Sequence, residues 1–516
     1  MSRLEKSFKN IVLSFGNSAL SSLLGFISRT IFISTLGAEY LGLAGLLTNV
    51  LGVLSISELG ISTAIGFSLY KPLAQREYKT VSALMSLYRK AYSIIAVIVF
   101  LGGFGLYFSL DFFIPPDQQP YGTDIAYFVF LIQTVSGYLL SYKMTLISSD
   151  NHAYKLTPIN VCANILQTIL QILALLLTKS YIAYILVHMG CVLSIMIVQN
   201  RYITKWYSHI DFHSRDRIDP AASQQIKKNI GGLVISRIGD YLVNSTDNLI
   251  ITKLISLAAT GIYSNYLMIR NLVNGFIATL FAGITASMGN VVATESDEKK
   301  LQIFNTMMFC AFFIYSFEAV CFLCLFNPFI GDIWLSADFL FDMPTVAIIV
   351  INNYLTGLRI PLITMKSAAG TYMEDAWIPF GFAAINLVAS IILAKYMGVA
   401  GVFLGTIIGS LLTADWYRPI IIYKHVFHTP VRSYYKKYLV YVTLGFAYML
   451  MACRLCAAIS IPSVFLSFII RAVIAASLPI LLNIIVFHST EEFAHVKNMI
   501  FRLLSGFLKQ HGKGIK

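Results

Sequence analysis

The chain has 516 residues, 57% of them hydrophobic and only 12% charged, with a formal net charge of +13. Its mean hydropathy is +0.72. Ordinary soluble domains carry about 25% charged residues, so a soluble enzyme is excluded and an all-α polytopic membrane protein is expected.

Residues 1–9 are short and basic, and the apolar run after them is too long for a signal-peptide core of about 7–15 residues. It is expected to be kept as the first span. Windows of about 20 apolar residues predict fourteen spans: 10–36, 41–69, 87–110, 125–147, 156–178, 181–200, 229–254, 258–290, 301–326, 343–365, 376–396, 398–422, 437–457 and 462–487. Tight hairpins are expected at Lys179–Ser180 and around Met397–Gly398.

With the N-terminus inside, inner segments hold 27 basic residues and outer ones 4 (Lys179, Lys253, Lys395 and Arg454). The positive-inside rule then puts both termini in the cytoplasm. This asymmetry accounts for the net charge, so no nucleic-acid partner is needed. Trp206, Trp334, Trp377 and Trp416 fall near span ends, as an interfacial belt requires. The longest inner loop, 201–228, leaves no room for a soluble catalytic domain. The seven cysteines lie in or beside apolar segments. Cys321–Cys324 and Cys453–Cys456 have CxxC spacing but no nearby His, so small apolar packing residues are expected there.

An internal repeat is suggested at an offset of 219 residues. Lys9-Asn10-Ile11 opens span one and Lys228-Asn229-Ile230 opens span seven; Gly42 falls on Gly261 and Arg29 on Asn248. Six spans per half make a parallel repeat about an axis along the membrane normal, around a central site. The repeat divides the chain into an N-lobe (1–200), a cytoplasmic linker (201–228), a C-lobe (229–425), and spans thirteen and fourteen with a cytoplasmic tail (426–516). It also predicts Arg29 opposite Asp247 across the cavity.

Polar residues inside spans are costly and mark pathways or buried pairs. In span seven Arg237, Asp240, Asn244, Asp247 and Asn248 lie on one helical face. Tyr263, Tyr266, Arg270 and Asn274 do so in span eight, and Asn352, Thr356 and Arg359 in span ten. Two roles are open to them. They can hold helices together through ion pairs and hydrogen bonds, or line a basic cavity for an anion, for which the Arg fork suits phosphate. Arg29, Arg270, Arg359, Arg237, Asn244 and Tyr266 are the substrate-binding candidates. Asp240 and Asp247 are candidates for gating or ion coupling. Lys143 and Arg418 lie near cytoplasmic ends and can snorkel. No catalytic residue, metal site or cofactor is expected beyond coupling to an H+ or Na+ gradient.

The run Lys9-Asn10 … Arg29 … Leu36-Gly37-Ala38-Glu39-Tyr40-Leu41-Gly42-Leu43 … Glu58-Leu59-Gly60-Ile61 resembles the first two spans of bacterial polysaccharide flippases of the Wzx type. These belong to the multidrug/oligosaccharidyl-lipid/polysaccharide exporter superfamily. Asp247-Asn248 followed by Thr260-Gly261-Ile262-Tyr263 resembles the start of their second half. The resemblance implies two six-helix lobes with two added helices, working by alternating access in the bacterial cytoplasmic membrane. The implied cargo is an undecaprenyl-pyrophosphate-linked sugar repeat unit, and the implied partners are membrane lipids, glycosyltransferases and a polysaccharide polymerase. The alternative is a small-molecule exporter of the multidrug type in the same superfamily. A membrane glycosyltransferase or polymerase would need outer-loop carboxylates such as Asp111, Asp117 and Asp124.

Overall fold

The computed structural model describes residues 3–58, 61–214, 216, 246–371 and 374–498. No β-strand occurs among them. Numbered in chain order, the longer helices are α1 (Arg3–Leu36), α2 (Ala38–Gly52), α3 (Ile61–Gln75), α4 (Tyr78–Tyr107), α5 (Thr123–Ser149), α6 (Thr157–Thr178) and α7 (Tyr181–Trp206). Then come α8 (Leu257–Thr294), α9 (Asp297–Asn327), α10 (Met343–Leu358), α11 (Ile360–Ala369), α12 (Ile378–Met397), α13 (Val399–Leu412), α14 (Ala414–Ile422), α15 (Arg432–Ala457) and α16 (Val464–Phe487). Residues 246–254 are also helical.

Among the described residues, eleven helical segments are long and apolar enough to cross a membrane, and each overlaps one of the fourteen expected spans. The other three are the second, seventh and eighth, of which the second differs. Residues 41–69 are not one helix: α2 ends at Gly52, a 3-10 turn covers Val53–Glu58, and α3 follows. Ser55, Ser57 and Glu58, between Gly52 and Gly60, make this stretch a weak helix former. Most of 229–254 lies outside the described residues. The third, 258–290, falls within the 38-residue α8, about 57 Å long at 1.5 Å per residue.

Burial is inverted where lipid replaces water. On α4, Ile94, Val97, Ile98 and Leu101 share an exposed face, while Tyr88, Tyr92, Ile95 and Val99 are buried. Trp206, Trp377 and Trp416 are exposed near helix ends, as the belt expectation requires.

The chain folds as two compact units, residues 1–272 and 273–516, with the division inside α8. In the first, α4 and α5 are joined by a tyrosine ladder. Edge-to-face ring pairs link Tyr88 to Tyr92 at 4.4 Å, Tyr92 to Tyr138 at 5.7 Å and Tyr88 to Tyr142 at 6.3 Å. Helix α6 packs between α1 and α7, and α6 turns into α7 through Lys179 with a left-handed backbone.

In the second unit, α9 packs against α10, α15 and α16 through buried Phe304, Phe312 and Tyr315. Helices α12 and α13 form the expected hairpin about Gly398. They lie so close that a Cβ on Gly405 would stand 2.4 Å from the Ser390 backbone nitrogen. Ser390 Oγ donates to the Val402 carbonyl at 2.8 Å and Asn386 Nδ2 to Thr406 Oγ1 at 2.7 Å. Small residues plus polar cross-links are how helices associate without a hydrophobic driving force.

Candidate functional site

The glycines that the repeat equated meet in space. A Cβ on Gly42 would stand 2.0 Å from the Leu257 carbonyl oxygen, and one on Gly261 would stand 1.9 Å from that of Ala38. Ala38 and Leu257 are themselves 219 residues apart. The start of α2 and the start of α8 therefore cross reciprocally, each glycine under the other helix's first residue. Reciprocity of this kind is what a two-fold relation produces, and only glycine permits so close a backbone approach.

Beside this crossing lies a cavity of about 720 Å3. Its lining includes four repeat-related pairs: Arg29 with Asn248, Gly45 with Ser264, Thr48 with Leu267 and Asn49 with Met268. The cavity thus straddles the local pseudo-axis within the first unit. Arg29 also lines a second chamber of about 440 Å3, bounded by α1, α6 and α7. Its guanidinium stands on the wall common to both. Arg29 Nη1 donates to Ser264 Oγ at 2.7 Å and to Asn265 Oδ1 at 3.2 Å. Neither of these partners is a carboxylate, so among the described residues the positive charge is oriented without being neutralised. No Asp or Glu is among the described residues lining either chamber.

The repeat was expected to bring Arg29 opposite Asp247. Instead its repeat mate Asn248 lines the chamber, and Asp247 interacts with Tyr263. One residue is a turn of about 100° on a helix, which separates the two neighbours. Tyr263 is also hydrogen-bonded to Arg270. Arg270 Nη2 lies 3.5 Å from Asn271 Oδ1, and Asn271 lines the larger chamber. Tyr266 is fully buried. Arg237, Asp240 and Asn244 lie outside the described residues.

Arg359 is in a different constellation, in the second unit. It is 6% exposed, donates from Nη2 to Thr356 Oγ1 at 2.7 Å and lies 3.8 Å from Asp415. Close by in sequence, Asp375 is paired with both Lys366 and Arg418. Buried ions persist only when paired like this. Two basic residues expected to snorkel are instead buried and bonded. Arg418 Nε is 3.2 Å from Asp375 Oδ2. Lys143 Nζ donates to Asn200 Oδ1 at 2.9 Å and Thr204 Oγ1 at 2.6 Å, and sits 4.4 Å from the Phe212 ring centre. Polar side chains of neighbouring helices were within reach, so neither needed the interface. In the same unit Asn274 Nδ2 donates to Asn353 Oδ1 and Asn353 Nδ2 to Glu318 Oε2, both at 3.1 Å.

The two CxxC pairs converge, with Cys324 touching Cys453 and Cys456. All seven thiols are free, and no metal-binding group of His, Cys, Asp and Glu occurs among the described residues.

The residues on the polar side of the smaller chamber are not among those expected from the sequence. Asn164, Gln167 and Gln171 of α6 face Tyr181, Tyr184 and His188 of α7 there. The signal was present: 160, 164, 167 and 171 are all amides at helical spacing. A census restricted to charged residues passes over it.

No family model and no curated protein matches the chain. Solved structures do. An inward-facing multidrug resistance transporter of the MATE family, in the MOP superfamily, matches with a TM-score of 0.61 at 16% identity, covering 80% of this chain and 98% of that one. The lipid II flippase MurJ in an inward closed conformation matches with a TM-score of 0.66 at 14% identity, over 93% and 99%. A MOP superfamily transporter from Pyrococcus furiosus, described by the reverse polarity of its binding pocket, matches at 0.58 and 16%, over 81% and 96%. The chain is a multi-pass membrane protein with the fold of the MOP transporters.

Proposed function

We propose that the chain is a flippase of the Wzx type. It moves undecaprenyl-pyrophosphate-linked oligosaccharide repeat units across the bacterial cytoplasmic membrane, with both termini cytoplasmic and no chemical step of its own. The observation that carries this is Arg29. It is an arginine on the wall of two polar chambers inside an apolar bundle, oriented by Ser264 and Asn265, with no carboxylate among the described lining. Such a site attracts an anion and repels the cations that an acidic drug-exporting cavity would take. Pyrophosphate matches the fork of Arg29, and the hydroxyls of sugars match the surrounding amides and tyrosines. The lipid tail remains in the bilayer beside the protein.

Movement follows from alternating access. The crossing of α2 and α8 at Gly42 and Gly261 lies beside the larger chamber, and separation of the two helices is the proposed opening step. Arg270, held to Tyr263 in the field of Asp247, is the second anion contact. Asp247 gates or couples to an ion; one charge crossing the membrane supplies about 2.3 kcal/mol per 100 mV. Glycosyltransferases and a polymerase act before and after this step.

Arg29→Ala and Arg270→Ala, made separately in the parent cell, are expected to abolish surface polysaccharide at normal protein level. Surface staining together with an immunoblot of the membrane fraction reads both. Full export in both variants overturns the anion site.

A further inference from the structure

The smaller chamber is more polar than helix packing needs. Asn164 Nδ2 donates to Ser21 Oγ at 2.9 Å. Gln167 Nε2 and Gln171 Nε2 both reach His188 Nδ1, at 3.1 and 3.3 Å, and Gln167 Nε2 also lies 3.4 Å from Gln171 Oε1. With both amides donating, Nδ1 is the acceptor and Nε2 carries the imidazole proton. Two donor nitrogens thus make three bonds to two acceptors, at 3.1 to 3.4 Å. Bonds of 3.3–3.4 Å are weak, so a ligand hydroxyl can replace them at little cost.

Amide and imidazole groups that only join helices would close on one another and leave no space. Here they border a chamber of about 440 Å3, within the roughly 300–1,000 Å3 usual for small-molecule sites. Aromatic rings form the other side. Phe32 packs edge-on against Tyr184 at 4.9 Å and against Tyr181 at 6.1 Å. Arg29 stands at the boundary with the larger chamber. Neutral paired donors and acceptors opposite aromatic faces, with one cation at the rim, match a neutral ring bearing several hydroxyls joined to an anion.

We propose that this chamber between α1, α6 and α7 is a carbohydrate subsite, which takes the sugar next to the phosphates while Arg29 holds the anion. Gln167, Gln171 and His188 bond the hydroxyls, and Tyr184 covers the apolar face of the ring. This rests on the flippase reading above.

The test uses the full-length protein in lipid nanodiscs. Binding is measured for undecaprenyl pyrophosphate and for the same lipid bearing one glucose, galactose or N-acetylglucosamine. Wild type is expected to bind at least one glycosylated lipid roughly tenfold more tightly than the bare lipid, the size of one or two net hydrogen bonds. The double variant Gln167→Leu with Gln171→Leu is expected to keep its affinity for the bare lipid and lose the preference. In wild type, the preferred lipid should also slow diethylpyrocarbonate modification of His188, read by mass spectrometry, while the bare lipid should not. That measurement stands even if the double variant fails to fold. No preference for any of the three sugars, a preference kept by the variant, or unprotected His188 overturns the subsite. If even bare undecaprenyl pyrophosphate binds wild type no better than a neutral lipid, the flippase reading fails instead.

Discussion

Arg29 is oriented by a hydroxyl and an amide of α8, at 2.7 and 3.2 Å. Had a carboxylate filled that place, the pair would be neutral and the chamber would have no attraction for phosphate. Asn265→Asp is therefore informative. It introduces a negative charge 3.2 Å from the guanidinium, and export should fall sharply while membrane insertion continues. Surface polysaccharide measured against protein level checks this, and undiminished export would argue that Arg29 does not meet an anion. An ion pair joins Lys437, near the start of a spanning helix, to Glu492, which lies beyond the last span. Glu492 accepts from Lys437 Nζ at 2.5 Å. Burial pushes its carboxyl up, but the bond from Lys437 and the charges of Lys437 and His495 outweigh it, so the group titrates below its ordinary value. A depressed carboxyl stabilises the fold above its unfolded pKa of about 4.3 and ceases to do so as pH falls through the folded value. Glu492→Gln should thus cost roughly 0–1 kcal/mol of stability at pH 7, the scale of a partly exposed pair, and the deficit should fade at a pH acid enough to protonate the carboxyl. An equal deficit at both pH values would exclude a titrating contact.

At the scale of helices, the α2–α8 crossing is the most demanding contact in the first unit. Gly42→Ala and Gly261→Ala each place a methyl about 2 Å from a carbonyl oxygen, so the helices must separate. Overpacking of this kind costs typically 1–3 kcal/mol. Gly16→Ala is the control, since nothing lies within 4 Å of its added carbon. Export and thermal stability should drop in the first two variants and hold in the third; equal behaviour of all three would show that the helices are not this close in the membrane. The sequence marked these glycines as repeat partners, but only the fold shows that the partners touch. Helix α6 is the opposite case. Its amide spacing could be read in the chain, yet only packing against α7 shows that it borders a chamber.

For the whole molecule, chain direction through the bilayer is the open variable. Fourteen spans place Ser460 outside and His511 inside, whereas twelve spans, usual for multidrug-type exporters, need not. Reporter fusions at both positions should report opposite sides, and a shared side would favour the exporter. The sequence by itself determined the membrane class, most span positions, both hairpins and the repeat offset, and it singled out Arg29 as an ion inside a span. These follow from hydropathy length, charge asymmetry and the rarity of ions in hydrocarbon, all local properties. Tertiary structure decided which buried charges find partners. Arg359 and Arg418 lie beside the carboxylates of Asp415 and Asp375, whereas Lys143 and Arg29 are bonded to neutral groups and Arg29 also lines the chambers. It also decided that Asn248, rather than Asp247, shares the chamber with Arg29. The reason is physical: a buried charge depends on the groups within about 4 Å of it, and most of those come from other parts of the chain, from 43 residues away for Arg418 and Asp375 to 236 for Arg29 and Asn265.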